Sequence, residues 1–284
     1  MSLSPHSESV IVSRLRAVGC VFAEDEARLL VAAARTPAEL AALVDRRVAG
    51  LPLEHVLGWA EFHGLRIAVD PGVFVPRRRT AFLADRAIAL TRAALTRITL
   101  ARTPPASHER AVVVDLCCGS GAVGAAILAA TPDRVELHAA DIEPAAVRCA
   151  RRNLGARGTV HEGDLYAPLP ATLRGRVDVL VANAPYVPTD AIELMPPEAR
   201  LHEPHVTLDG GADGLDVQRR VAAGAGRWLA PGGHLLVETG EHQAPATLEL
   251  FTRHGLDSRI VTSDELSATV VIGTRPGDGS PRRR

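Results

Sequence analysis

From Ala111 to Arg275 the sequence alternates short, densely apolar runs with stretches of helical periodicity, and this alternation limits the fold more than any other feature. AVVVDLC (111–117), VELHAAD (135–141), TVHEGD (159–164), VDVLVAN (177–183) and HLLVETG (234–240) read as strands. Helices are expected from Ala122, from Pro144, over GLDVQRRVAAGAGRWL (214–229) and over HQAPATLELFTRHG (242–255). Strands joined through helices pair in parallel, because a parallel connection needs a long crossover. DSRIVTS (257–263) and SATVVIGTR (267–275) are joined by a short turn, so the last strand is expected to run antiparallel. The expectation is an α/β fold: a seven-stranded, mostly parallel sheet with helices on both faces.

The first third reads differently. About Glu8 to Ala49 is helical in period, with room for three short helices. Thr36-Pro37-Ala38-Glu39 supplies a cap, a first-turn proline and a glutamate to close a capping box. WAEFHGLRIAV (59–69) alternates and turns at His63-Gly64, which predicts a β-hairpin. Pro76-Arg77-Arg78-Arg79-Thr80 leads into a helix over 81–95, and 101–110 reads as a loop. The expected division is a helical domain (1–50) that recognises the substrate, a hairpin connector (51–79), an α/β domain (80–275) and a disordered tail (276–284). Residues 1–7 are also expected to be disordered.

Thirty-two basic against 33 acidic residues leave a net charge of -1, which argues against a chain that holds nucleic acid mainly by charge. Cys20, Cys117, Cys118 and Cys149 show no CxxC spacing, so neither a metal nor a disulfide framework is expected and a reducing cytoplasm suits them. The start lacks signal-peptide patterning, and no apolar run reaches membrane-spanning length.

Three strand ends carry the chemistry. Asp115-Leu-Cys-Cys-Gly119-Ser-Gly121-Ala-Val-Gly124 closes a strand and opens a helix, where glycines let backbone approach a ligand. The spacing satisfies GxGxxG, which alone also fits a dinucleotide site or a tight turn. Asp141 ends the next strand about twenty residues on, placed to accept from ribose hydroxyls. Asp164 ends the third strand, where a carboxylate can accept from an adenine amino group. Carboxyl ends of neighbouring strands line the ligand crevice of such a sheet.

Asn183-Ala184-Pro185-Tyr186 follows the fourth strand. Pro185 stiffens the backbone and pushes Ala184 toward an extended conformation. The Asn183 side-chain oxygen and the Ala184 carbonyl then form a pair of acceptors for both hydrogens of an NH2 group, with Tyr186 over its planar face. An amide or aryl amine nitrogen is a poor nucleophile because its lone pair is delocalised. Accepting both hydrogens builds negative charge on nitrogen and aims the lone pair at a sulfonium methyl, so the work is alignment and electrostatics.

Four stretches resemble the HemK/PrmC family of protein-glutamine N5-methyltransferases, which modify peptide-release factors: PLEHVLGWAEFHGLRIAVDPGVFVPR (52–77), VVVDLCCGSGAVGAAI (112–127), VANAPYVP (181–188) and LHEPHVTLDGGADGLDVQRRV (201–221). The resemblance spans about 50–275 and implies a Rossmann-like class I methyltransferase domain using S-adenosyl-L-methionine. It implies that Asp115, Cys117, Gly119, Gly121, Asp141, Ile142, Asp164, Leu165 and Asn183 surround the donor, with Asp115, Gly119 and Gly121 at its amino-acid part. The acceptor glutamine would meet Arg77, Asn183, Ala184, Pro185 and Tyr186. A cytoplasmic monomer acting on a release-factor loop is the expectation that follows, with no metal.

Two positions depart from the family pattern. Ala184 stands where the family has proline, which keeps the carbonyl and loosens the loop. Pro76-Arg77-Arg78-Arg79-Thr80-Ala81 stands where the family reads closer to PRPETE, either as a solvated basic turn or as an altered acceptor or donor site with Arg77 in contact. An alternative acceptor is a nucleic-acid base amine, and a chain that binds donor without turnover is a further one. His202, Glu203 and His205 are expected to pack the loop and gate the substrate; Glu238 and Glu241 read as loop polarity.

Overall fold

The computed structural model describes residues 5–100, 109–131 and 133–277. Three helices open the chain: α1 (Pro5–Ala17), α2 (Ala23–Ala33) and α3 (Pro37–Val48). Helix α1 begins inside the segment read as disordered; Pro5 is tolerated at a first turn and Glu8 complements the helix dipole. Leu15, Ala23, Ala27, Leu30 and Val44 form a separate small core between these helices. Thr36 caps α3 by accepting from the Glu39 N–H at 3.1 Å. The Glu39 carboxylate accepts from Arg35 N–H at 2.8 Å, one residue before the position a capping box uses.

A short helix α4 (Leu53–Leu57) precedes the hairpin β1 (Trp59–Phe62) and β2 (Leu65–Ala68). His63 and Gly64 both take positive φ, 53° and 72°, the two-residue turn that matches strand twist. Val69, Val73 and Val75 pack against helix α7 (Pro144–Leu154) of the large domain. Asn153 on α7 seals this contact, accepting from Ala68 N–H at 2.9 Å and donating to the Ala68 and Ser120 carbonyls at 2.9 and 2.8 Å. One side chain thus ties the hairpin to the glycine-rich turn.

The large domain holds α5 (Thr80–Leu100), β3 (Ala111–Leu116), α6 (Ala122–Ala130), β4 (Val135–Asp141), α7, β5 (Gly158–Glu162), β6 (Val177–Ala182), α8 (Pro197–His202), α9 (Asp216–Trp228), β7 (Leu229–Thr239), α10 (Ala244–Arg253), β8 (Asp257–Ser263) and β9 (Ala268–Thr274). Its seven strands lie in the order β5-β4-β3-β6-β7-β9-β8. β9 is antiparallel to both neighbours, and the other adjacent pairs are parallel, as expected. One face is covered by α5, α6 and α7, the other by α9 and α10. β3 and β6 are buried along their whole length, which is why they read as unbroken apolar runs. Strand order reverses between β3 and β6, so the crevice opens at their carboxyl ends.

Asp164 lies two residues past β5, because Gly163 at φ 151° turns the chain first. Most of the loop read at 101–110, residues 1–4 and the tail from 278 lie outside the described residues. Among the described residues no helix is long and apolar enough to cross a membrane.

Candidate functional site

The glycine-rich turn divides its labour by geometry. A Cβ on Gly121 would sit 3.1 Å from the Ala150 Cβ, and one on Gly124 would sit 3.0 Å from Leu137 Cδ2. These two glycines let α6 press against α7 and β4, and neither lines the pocket, although Gly121 was expected to. Gly119, at φ 54°, has open space where its Cβ would be and faces the pocket. Cys117 takes φ 53° to reach the same wall. Burial and the nearby Asp141 and Asp115 push its thiol up, so it stays neutral.

Asp115 is 2% exposed, and one of its oxygens accepts from Gly124 N–H at 3.1 Å. Burial, with the neighbouring Asp141, raises its carboxyl to about 7 against the pull of that N–H. Asp141 accepts from Gly119 N–H at 2.8 Å through one oxygen and from Glu143 N–H at 2.9 Å through the other. Each oxygen keeps a lone pair, so the carboxylate is oriented and still able to take two hydroxyls. Burial raises its carboxyl as well. Asp164 is half-exposed at the mouth and paired with Arg220 of α9.

Asn183 leaves the end of β6 into the same pocket. Among the described residues, neither its side chain nor the Ala184 carbonyl has a hydrogen-bond partner. Both residues line the pocket with Pro185 and Tyr186. The loop is fixed from behind: Val187 N–H donates to the Leu208 carbonyl at 3.0 Å, and Gly210 N–H returns to the Val187 carbonyl at 2.8 Å. Tyr186 donates its hydroxyl to Glu238 Oε1 at 3.1 Å. Burial and Glu238 keep that phenol protonated.

The arginine run is not a uniformly solvated turn. Arg77 pairs with Glu203 at 2.6 Å, and the other Glu203 oxygen accepts from Val75 N–H at 3.1 Å. Arg79 reaches Glu238 Oε1 at 3.3 Å and lies 5.7 Å over the Tyr186 ring. Arg77 and Arg79 both line the pocket, each opposed by a buried carboxylate, while Arg78 faces solvent. Glu203 therefore packs the segment 201–208 against the connector, as expected, and His205 stays at the surface, 3.6 Å from Asp209. Glu238 was misread: it is 2% exposed at the end of β7. A charged residue closing an otherwise apolar strand was the available signal. Gln243 carried none in the sequence; its side chain donates to the Tyr186 and Asp213 carbonyls at 2.9 and 3.0 Å.

These groups surround one open pocket, with Phe74, Met195 and Val206 as apolar walls. Asp115, Cys117, Gly119, Asp141, Ile142, Asp164 and Leu165 line one side; Arg77 and the Asn183–Tyr186 loop line the other. S-adenosyl-L-methionine fits this division. Asp141 presents two oriented acceptors for a ribose, Ile142 is half-exposed as an apolar wall for a base, and buried Asp115 suits a cationic amino-acid end. Among the described residues no group of three or more His, Cys, Asp or Glu is arranged to hold a metal.

The sequence model of the methyltransferase small domain matches residues 94–199. The release factor glutamine methyltransferase of Geobacter sulfurreducens is 38% identical over 247 residues, covering 85% of this chain and 80% of that one. The protein of the same description from Mycolicibacterium smegmatis is 36% identical over 248 residues, covering 86% and 82%. A methyltransferase structure from Pyrococcus furiosus, 16% identical, superposes with a TM-score of 0.50 over 82% of this chain and 99% of that chain, a likeness of fold.

Proposed function

Since the chain belongs to the release factor glutamine methyltransferases, and so transfers methyl from S-adenosyl-L-methionine to a glutamine side-chain nitrogen, we propose that the Asn183–Tyr186 loop holds that amide and that a peptide chain release factor carries it. The observation that carries this reading is the pair of unpartnered acceptors, Asn183 Oδ1 and the Ala184 carbonyl, in a pocket shared with Asp115 and Asp141. Membership of this family favours a glutamine over a base amine of nucleic acid.

The donor, when bound, supplies an electrophilic methyl group on sulfur. Asn183 Oδ1 and the Ala184 carbonyl accept the two amide hydrogens, which raises electron density on the nitrogen. Tyr186 covers the amide plane and restrains its rotation. Asp115, Gly119 and Asp141 would hold the donor, and the Asn183 loop would present the amide nitrogen's lone pair to its methyl group. Alignment of this kind is worth roughly 7–11 kcal/mol of barrier. One amide proton is then lost to solvent, and no general base is required. Phe74, Met195 and Val206 limit water at the reacting nitrogen. The helical domain, residues 1–50, recognises the acceptor protein, 51–79 connect it to the catalytic domain 80–275, and the enzyme works as a cytoplasmic monomer.

The test is to incubate the protein with labelled donor and separate pools of release factors, other proteins and nucleic acid, then to locate the label by mass spectrometry. Methylglutamine in a release factor is the expected result. Label in the nucleic-acid pool alone would overturn the proposal.

A further inference from the structure

We propose that Glu238 and Gln243 are positioning residues that clamp Tyr186 at its two ends and so hold the amide-binding loop in its productive shape. The proposal rests on the reading of that loop given above. Glu238 sits on β7, the strand beside β6, and its buried Oε1 receives both the Tyr186 hydroxyl at 3.1 Å and Arg79 Nε at 3.3 Å. Its Oε2 is buried and makes no hydrogen bond of good geometry, with the buried Thr80 hydroxyl as its polar neighbour. Burying a carboxylate is costly, and an apolar side chain of similar volume would close the sheet end without that cost. What the carboxylate adds is a fixed acceptor, which sets the rotation of the Tyr186 ring.

Gln243 fixes the other end. Its amide nitrogen bridges the Tyr186 carbonyl at 2.9 Å and the Asp213 carbonyl at 3.0 Å, while its oxygen accepts from Gly240 N–H at 3.3 Å. Gly214, at φ 76°, is what lets these groups close: a Cβ there would lie 2.3 Å from both the Gln243 nitrogen and the Tyr186 carbonyl. Pro185 fixes its own φ and biases Ala184 toward extended conformations, but it locks neither torsion of Ala184 as a second proline would lock φ there. The rigidity that Ala184 does not provide comes from Tyr186, pinned at hydroxyl and carbonyl.

The experiment measures donor affinity and single-turnover methyl transfer to a purified release factor for Tyr186→Phe, Glu238→Gln, Glu238→Leu, Gln243→Met, Asn183→Ala and the double variant Tyr186→Phe/Glu238→Leu. Glu238→Leu and Gln243→Met are expected to slow transfer roughly 10- to 100-fold, as misplacement of a reacting group does, with donor affinity within about twofold of the parent. Glu238→Gln keeps an acceptor for the phenol and is expected to restore transfer to within about threefold of the parent. The double variant should be no slower than the slower of its two single variants, since both remove the same hydrogen bond. Tyr186→Phe deletes one hydroxyl and keeps the packing, so the clamp remains testable if a Glu238 variant does not fold. Wild-type transfer by Tyr186→Phe and Gln243→Met, with Asn183→Ala inactive, would overturn the clamp and leave the loop reading intact. Wild-type transfer by Asn183→Ala would instead remove the loop reading on which the clamp rests.

Discussion

Donor affinity is expected to depend on pH through one buried acid, Asp115. Its carboxyl is raised from 3.8 to about 7, chiefly by burial. A cationic amino-acid end needs the carboxylate, so below about pH 7 binding must first remove a proton, and affinity falls nearly tenfold per unit. Between pH 7.5 and 5.5 the dissociation constant should rise about 25-fold, roughly 1.9 kcal/mol. The upper limit keeps the donor's own amino group charged. In the donor-free protein the sign is opposite. A raised carboxyl means that the folded state binds the proton more tightly than the unfolded chain. That stability is complete below about pH 4 and is lost as pH rises through about 7, on the order of 4 kcal/mol. Isothermal titration with donor at fixed ionic strength reads the first effect, and thermal melts without donor read the second. Asp115→Asn should bind weakly with a flat profile, which separates Asp115 from neighbouring Asp141, whose carboxyl is also raised by burial. A wild-type change below threefold, or an unaltered slope in Asp115→Asn, would refute the reasoning.

Other outcomes follow from the same geometry. Asn183→Ala should keep donor affinity within about threefold and slow transfer more than 100-fold, of the order an oxyanion-type contact contributes, measured with saturating donor. Gly214→Ala forces a Cβ to 2.3 Å from the Tyr186 carbonyl in a left-handed backbone and should abolish acceptor methylation while donor still binds. Arg47, buried at the end of α3, donates to Glu26 at 2.6 Å and across to Glu198 of α8 at 2.7 Å. Arg47→Met should destabilise the helical domain by about 3 kcal/mol, read by denaturant unfolding, because Glu26 loses its partner in a mostly buried position. Arg77→Ala leaves the buried Glu203 carboxyl without its cation; it should weaken acceptor affinity more than donor affinity, compared by titrating each ligand separately.

The positions that line the pocket were legible because each sits at a strand end in a repeating pattern. Asp115, Asp141 and the Asn183 loop follow directly from where apolar runs stop. Gly121 shows the limit of that logic. Its place in the motif suggested ligand contact, yet its positive φ and the closeness of Ala150 give it a packing role. Thr36 announced its helix, while the partner of Glu39 moved by one residue, a difference of side-chain reach that no spacing rule carries. The arginine run illustrates the same gap: sequence shows three like charges, and only the fold supplies Glu203 and Glu238, residues 126 and 159 positions away, as their partners.

By itself the sequence determined the α/β architecture, the reversed last strand, the hairpin turn and the family. All of these follow from local periodicity, turn chemistry and contiguous motifs, which depend on neighbours along the chain. Tertiary structure alone decided which charges are compensated, which glycines face the pocket and how Tyr186 is held. Those properties depend on burial and on atoms brought within about 3 Å from distant segments, where the low dielectric makes each pairing matter. Glu238 is the clearest case: a polar letter at the end of an apolar strand became, once β6 and β7 lay side by side, the fixed acceptor behind the Asn183–Tyr186 loop.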